Sequence, residues 1–156
     1  MDIAVSWSPG DDPAVWRNAA RTAALAGIRT VRDRIDWRHF QPTAGPLLEN
    51  LKYDLTADIQ HEYGLDIVQV FHNAPVWTRD HSEDAGRVPP DLRHTYEFCR
   101  AIAKRFADTV HLWQPWNEGN SPNFGRHAID ELCSHQKAAY WGFKRGNPES
   151  VVTWAP

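Results

Sequence analysis

The chain has 156 residues, of which 42% are apolar and 24% charged, and a net charge of -3. That length suits one domain with a sizeable core, and the mild acidity gives no basic footprint for nucleic acid or an anionic membrane. No apolar run approaches the roughly 18 residues of a membrane span. Met1-Asp2-Ile3-Ala4-Val5 lacks a basic region followed by an apolar core, so no signal peptide is read. The expectation is a cytoplasmic protein, or a secreted one whose signal has been removed.

Strand and helix patterns alternate along the chain. Ile3–Trp7 reads as a first strand. Asp12-Pro13 opens a helix with a capping acid and a proline in the first turn. Val15, Trp16, Ala19, Ala20 and Ala23 form its apolar face, and Gly27 is placed to end it in a left-handed conformation. Thr30–Trp37 is a second strand, followed by a loop with Pro42 and Gly45. A helix from Asp54 to Glu62, closed by Gly64, precedes an apolar third strand, Leu65–Phe71. Residues 78–90 are polar, contain Gly86, Pro89 and Pro90, and read as a loop. Asp91 caps a helix whose face is Leu92, Tyr96, Cys99, Ile102, Ala103 and Phe106. Val110–Trp116 is a fourth strand, Ala128–Lys144 a fourth helix stopped by Gly146-Asn147-Pro148, and Ser150–Trp154 a fifth strand. Cys99 and Cys133 both fall on helices. Two cysteines make no disulfide framework, and they are read as reduced and structural.

Five strands alternating with four helices predict α/β architecture with parallel strands. No glycine-rich phosphate loop follows the first strand, which weighs against a nucleotide-binding, doubly wound sheet. The informative polar and aromatic residues cluster where strands end, at Trp7, Trp37, His72, Asn117 and Glu118. Strand ends are the active face of a (β/α)8 barrel. A TIM-barrel type fold needs about 250 residues, so a partial barrel is expected, with five of eight strands in one domain over residues 1–156.

Trp113-Gln114-Pro115-Trp116-Asn117-Glu118-Gly119-Asn120 is the most informative stretch. It places an acid, an amide and two indoles at the end of a buried strand, a combination suited to sugar chemistry. The eight tryptophans suggest either an aromatic-heavy core or stacking surfaces for flat ligands. The histidines show no metal-ligand spacing, no Gly-x-Ser-x-Gly elbow is present, and neither a metal nor a cofactor is expected.

These residues also resemble a known family. Val31-Arg32-Asp33-Arg34-Ile35-Asp36-Trp37, with Gln41-Pro42 and Gly45, is similar to the second strand and loop of clan A glycoside hydrolases. Val110–Asn120 resembles that clan's fourth strand, which ends in Asn-Glu, and Lys144–Val152 resembles the helix exit and fifth strand that follow. The flavour is nearest to the β-xylosidase and α-iduronidase family.

The resemblance implies retaining hydrolysis by two carboxyl groups roughly 5–5.5 Å apart. Glu118 would be the general acid/base, in a site lined by Trp116 or Trp77; the plainer alternative is a glutamate capping the following loop. Asn117 would bind the sugar 2-hydroxyl, or be a turn residue. Arg32 would orient the nucleophile carboxylate, or pair structurally with Asp33 or Asp36. His72 would contact a sugar hydroxyl, or be structural. Trp77 and Trp37 would be stacking platforms, or core residues. The family's nucleophile ends a seventh strand, and none of Asp33, Asp36, Asp80 and Glu83 is suited to replace it. The expected partners are a glycoside or oligosaccharide, and either a second copy or a complementary barrel half, since an open parallel sheet exposes two edges. A non-catalytic carbohydrate-binding or structural half-barrel is the competing reading.

Overall fold

The computed structural model describes residues 4–7 as backbone, and residues 12–49, 51–79 and 86–154 in full. Its strands are β1 (Ala4–Trp7), β2 (Thr30–Asp36), β3 (Asp66–His72), β4 (Leu112–Pro115) and β5 (Val151–Val152). The helices are α1 (Pro13–Leu25), α2 (Trp37–Phe40), α3 (Lys52–Glu62), α4 (Leu92–Arg105) and α5 (Ile129–Gly146), with single 3-10 turns at Val76–Thr78 and Pro122–Phe124.

Local chemistry sets the helix ends. The Asp12 carboxylate accepts from the Ala14 amide at 2.8 Å, and the Asp91 carboxylate from the Arg93 amide at 3.0 Å. At the end of α1, Gly27 takes φ +77°, which glycine adopts without a Cβ penalty. Its amide donates to Ala24 O and that of Ile28 to Ala23 O, both at 3.0 Å, closing a Schellman motif. The apolar face of α1 is narrower than its pattern suggests: Trp16, Ala20 and Ala23 are buried, whereas Val15 is exposed. On α4 the expected face is rotated slightly, so that Thr95 and Phe98 are buried and Leu92 and Tyr96 only half-buried.

All five strands are parallel and lie in the order β1-β2-β3-β4-β5. A doubly wound sheet reverses its order at a switch point, and this sheet does not, so it has the topology of a barrel wall. One departure from the expected boundaries matters for the site. β2 stops at Asp36, whose carboxylate accepts from the Arg38 amide at 3.0 Å and starts α2, placing Trp37 on a helix rather than a strand.

The two faces of the sheet differ. Val31, Ile35, Ile67, Phe71 and Trp113 point into one apolar core shared with the helices. Trp37 stacks on Phe98 at 4.3 Å between ring centroids, and Trp113 on Phe143 at 4.8 Å, while Phe71 meets Trp37, Phe98 and Phe143 edge-on. The alternate residues of β2, β3 and β4, including Arg32, Val68, Leu112 and Gln114, face the other way, with Arg32 paired to Val68 and Val68 to Leu112. Cys99 and Cys133 are free thiols, and burial pushes the Cys99 thiol up. Among the described residues no helix is long and apolar enough to cross a membrane.

Candidate active site

β4 carries the site because its backbone breaks alternation at its end. Trp116 adopts φ +75°, and Glu118 φ +43°. A side chain in this left-handed region costs roughly 1–2 kcal/mol. Residues held there cluster at functional sites, where their surroundings over-determine them. The turn at Trp116 reverses which residue faces where. Strict alternation would put Trp116 beside Gln114; instead its indole lies in the helix-covered core, edge-on to Phe71 at 6.0 Å and His135 at 5.3 Å. Its Nε1 donates to Phe124 O at 3.0 Å.

Asn117 takes the vacated direction. Arg32 crosses from β2 and donates from Nη2 to Asn117 Oδ1 at 2.6 Å and from Nε to Gln114 Oε1 at 3.0 Å. Gln114 Nε2 in turn donates to Trp116 O at 3.1 Å, tying the fork to the turn itself. Burial lowers the Arg32 pKa, and the nearby Arg34 charge adds to this, while Glu118 opposes both as a favourable negative neighbour. Arg32 thus joins Asn117 and Gln114 into one hydrogen-bonded group near Glu118. The alternative, a structural ion pair, is not formed: among the described residues neither Asp33 nor Asp36 bonds to Arg32. Asp36 instead holds Arg38 at 2.6 Å and accepts from Asn73 Nδ2 at 2.8 Å. Burial alone would raise the Asp36 carboxyl, and those hydrogen bonds more than reverse it.

Asn117 is 2% exposed, and its Nδ2 has no partner among the described residues. His72, the last residue of β3, also carries a buried, unpartnered Nδ1; it meets Phe124 edge-on at 5.6 Å. Burial lowers its pKa, which favours the neutral ring. The strand ends therefore hold two buried polar nitrogens without partners and the exposed Glu118 carboxylate, which takes no side-chain hydrogen bond from any described residue, with the half-buried Arg32 guanidinium reaching them from within β2. This arrangement can bind hydroxyls and offers one carboxyl group for proton transfer.

Two aromatic expectations, Trp37 and Trp116, need correction. Trp37 is fully buried against Phe98 and Phe71, with Nε1 donating to Gln41 at 3.0 Å, so it has no face for a sugar. Trp116 is equally buried, because its left-handed backbone turns the ring away from the open face. Trp77 is half-buried, but donates to Gln41 O at 2.9 Å and lies edge-on to His94 at 5.1 Å, beside a cavity of about 180 Å³ against α4. No hydrogen bond or ring contact ties it to Asn117 among the described residues. Asp80 and Glu83 lie outside the described residues.

Gln114 was not singled out from the sequence, although a polar residue two positions before the turn on a buried strand is a usable signal. The Asn73–Asp36 bond carried no sequence signal beyond asparagine's tolerance of its positive φ of +61°.

No protein-family model matches this chain, and no curated protein matches it. Solved structures do match in fold. The chain superposes on a GH5_18 protein from Bifidobacterium longum subsp. longum with a TM-score of 0.78 at 15% identity, covering 99% of this chain and 43% of that one. A family 39 glycoside hydrolase from Bacteroides cellulosilyticus matches with a TM-score of 0.76 at 20% identity, over 98% of this chain and 31% of that one. The endoglucanase Cel5A of Pseudomonas stutzeri matches with a TM-score of 0.65 at 17% identity, over 97% and 49%. The chain therefore spans between 31% and 49% of the length of these proteins, and its fold is that of part of a TIM barrel.

Proposed function

We propose that this chain carries the general acid/base half of a retaining glycoside hydrolase site, with Glu118 as the proton-transfer residue. The observation that carries the reading is the Arg32–Gln114–Asn117 group, which ties β2 to the end of β4 next to an exposed glutamate held in a left-handed conformation. Protonated Glu118 donates to the glycosidic oxygen as the leaving group departs; ionised Glu118 then takes a proton from the water that releases the sugar. Asn117 Nδ2 and His72 Nδ1 are the unspent groups assigned to sugar hydroxyls; both are covered in this chain, so a sugar reaches them only when the surrounding loops part. Arg32 orients Asn117, and its charge favours the ionised state of any carboxylate brought near it. The sequence resemblance points towards the β-xylosidase and α-iduronidase family.

Retention requires a second carboxylate. Asp36 is occupied by Arg38 and Asn73, and Asp33 faces the helices, where it accepts from Gln60 at 3.0 Å. We assign the nucleophile to a seventh strand of the completed barrel, supplied by further chain or by a complementary half. The edges β1 and β5 are where that completion attaches; a second copy of this chain can cover them but brings no seventh strand, so self-association alone does not supply the nucleophile.

The test is a panel of 4-nitrophenyl glycosides and unactivated disaccharides, assayed on the protein with its barrel completed. Glu118→Ala should abolish turnover of disaccharides, which need a protonated leaving oxygen, while sparing the first step on nitrophenyl substrates, which do not. Wild-type turnover of disaccharides by that variant overturns the assignment. Sugar binding without turnover of any substrate by the wild type favours the carbohydrate-binding half-barrel.

A further inference from the structure

The loop that follows Glu118 is fastened by one histidine that the mechanism above does not use. His127 is buried, and its Nδ1 lies 2.9 Å from Gly119 O. Its own backbone amide donates to that same oxygen, also at 2.9 Å, so both lone pairs of the Gly119 carbonyl point at one residue. On the other side of the ring, Nε2 lies 2.9 Å from the Val88 amide. An amide can only donate, so Nε2 must be the acceptor and Nδ1 must carry the proton. The ring is therefore the neutral Nδ1–H tautomer, bridging the β3–α4 connection to the β4–α5 connection.

The surroundings leave the ring little freedom. Gly125 sits against it at φ +103°, where a Cβ would come within 2.3 Å of the ring and of Gly86 O. Gly119 is pressed onto α5, where a Cβ would meet Leu132 at 2.4 Å. Glu118 O accepts from the Ser121 amide at 2.7 Å, so the two peptides that follow the Glu118 Cα are both fixed. A left-handed backbone at a non-glycine residue persists only where neighbours over-determine it, and the His127–Gly119 contacts supply that restraint.

We propose that His127 is a positioning residue, a clasp whose two-point hold on the Gly119 carbonyl keeps Glu118 in its left-handed conformation at the strand end. The clasp stands on these contacts alone; its consequence for catalysis rests on the acid/base reading of Glu118.

Two substitutions separate the halves of the clasp. In His127→Asn the amide nitrogen sits near the position of Nδ1 and still donates to Gly119 O, but nothing reaches Val88. In His127→Gln the longer chain reaches the Val88 amide and leaves Gly119 O. Amide hydrogen exchange at Ser121 and His127 is the readout on the barrel-complete protein. Exchange should rise roughly tenfold in His127→Ala and His127→Gln, and stay near wild type in His127→Asn. Unchanged exchange in His127→Ala, or rescue by glutamine as good as by asparagine, overturns the clasp.

The second readout is turnover of a disaccharide. The turnover number should fall about 10–100-fold in the alanine and glutamine variants with KM little altered, and recover with asparagine. Altered exchange with unaltered turnover overturns the positioning role. If the wild type turns over no glycoside, the acid/base reading fails by itself, and the exchange pattern still decides the clasp.

Discussion

On the helix-covered face of the sheet, Val31, Ile35, Ile67, Phe71 and Trp113 merge with Trp37, Phe98 and Phe143 into a closed aromatic core. On the opposite face, Arg32, Gln114 and Asn117 form a polar group with donor capacity left over. The aromatic residues hold the sheet, while the reactive possibilities lie with the polar ones. Trp16, Trp37, Trp113 and Trp116 belong to the core, whereas Trp141 and Trp154 are exposed, and at the strand ends the sugar-binding expectation moves from indoles to amides and a guanidinium. The covered face has its own exception, since Asp33, Gln60 and Gln69 are polar and buried there.

The comparison makes Trp37 the position with the largest expected effect. Trp37→Ala should cost about 3–5 kcal/mol in urea unfolding, as for a large aromatic removed from a packed core. A variant that folds with native stability but loses sugar affinity would put Trp37 back at the site.

Asp33 comes next. Burial raises its carboxyl from 3.8 to about 6, only partly offset by the Arg34 amide and Gln60. The folded protein therefore binds this proton more tightly than the unfolded chain. Stability should be highest below about pH 4 in this respect, and fall as pH rises towards 6. Above that the full penalty, roughly 3 kcal/mol, is present. Asp33→Asn should stabilise the protein at neutral pH and flatten that stretch of the profile. An unchanged profile from denaturant titrations at pH 4 to 7 would refute this placement of Asp33.

Arg32→Met tests the open face. It leaves Asn117 Oδ1 and Gln114 Oε1 without their donor, which should cost about 1–3 kcal/mol and lower turnover with it. Loss of stability without loss of turnover would make the group purely structural. The smallest effect is expected at Gln69, whose Nε2 is buried and unpartnered among the described residues. Gln69→Met keeps the volume and removes that orphan, so stability should stay within about 1 kcal/mol of wild type or rise. A large loss would show that the covered face needs its polar residues.

Much of the fold was legible because it is written in local chemistry. The Asp12 and Asp91 caps and Gly27 at the end of α1 form where the sequence places them, and β2 and the apolar run of β3 form within one residue of it. Strand ends were less legible. The pattern Val110–Trp116 overshoots β4 at both ends, because apolar residues continue past the point where the ladder stops. Asn117, Glu118, Arg32 and His72 were legible as chemical candidates, and the structure brings Asn117 and Arg32 into direct contact. The burial of Trp116 was not legible. Alternation assumes an extended backbone, and no local signal marks a tryptophan at φ +75°, a conformation that residue type rarely adopts. The clasp at His127 was hidden for another reason: its partners Gly119 and Val88 come from two different loops, and tertiary packing alone brings them together.

The central claim, that Glu118 transfers the proton in a two-step reaction, is tested most directly by azide rescue. Glu118→Ala, with its barrel completed, should turn over an activated aryl glycoside slowly. Added azide, which needs no general base, should restore the rate and release a glycosyl azide of retained anomeric configuration, read by proton NMR. No acceleration by azide, or an azide of inverted configuration, would contradict the account.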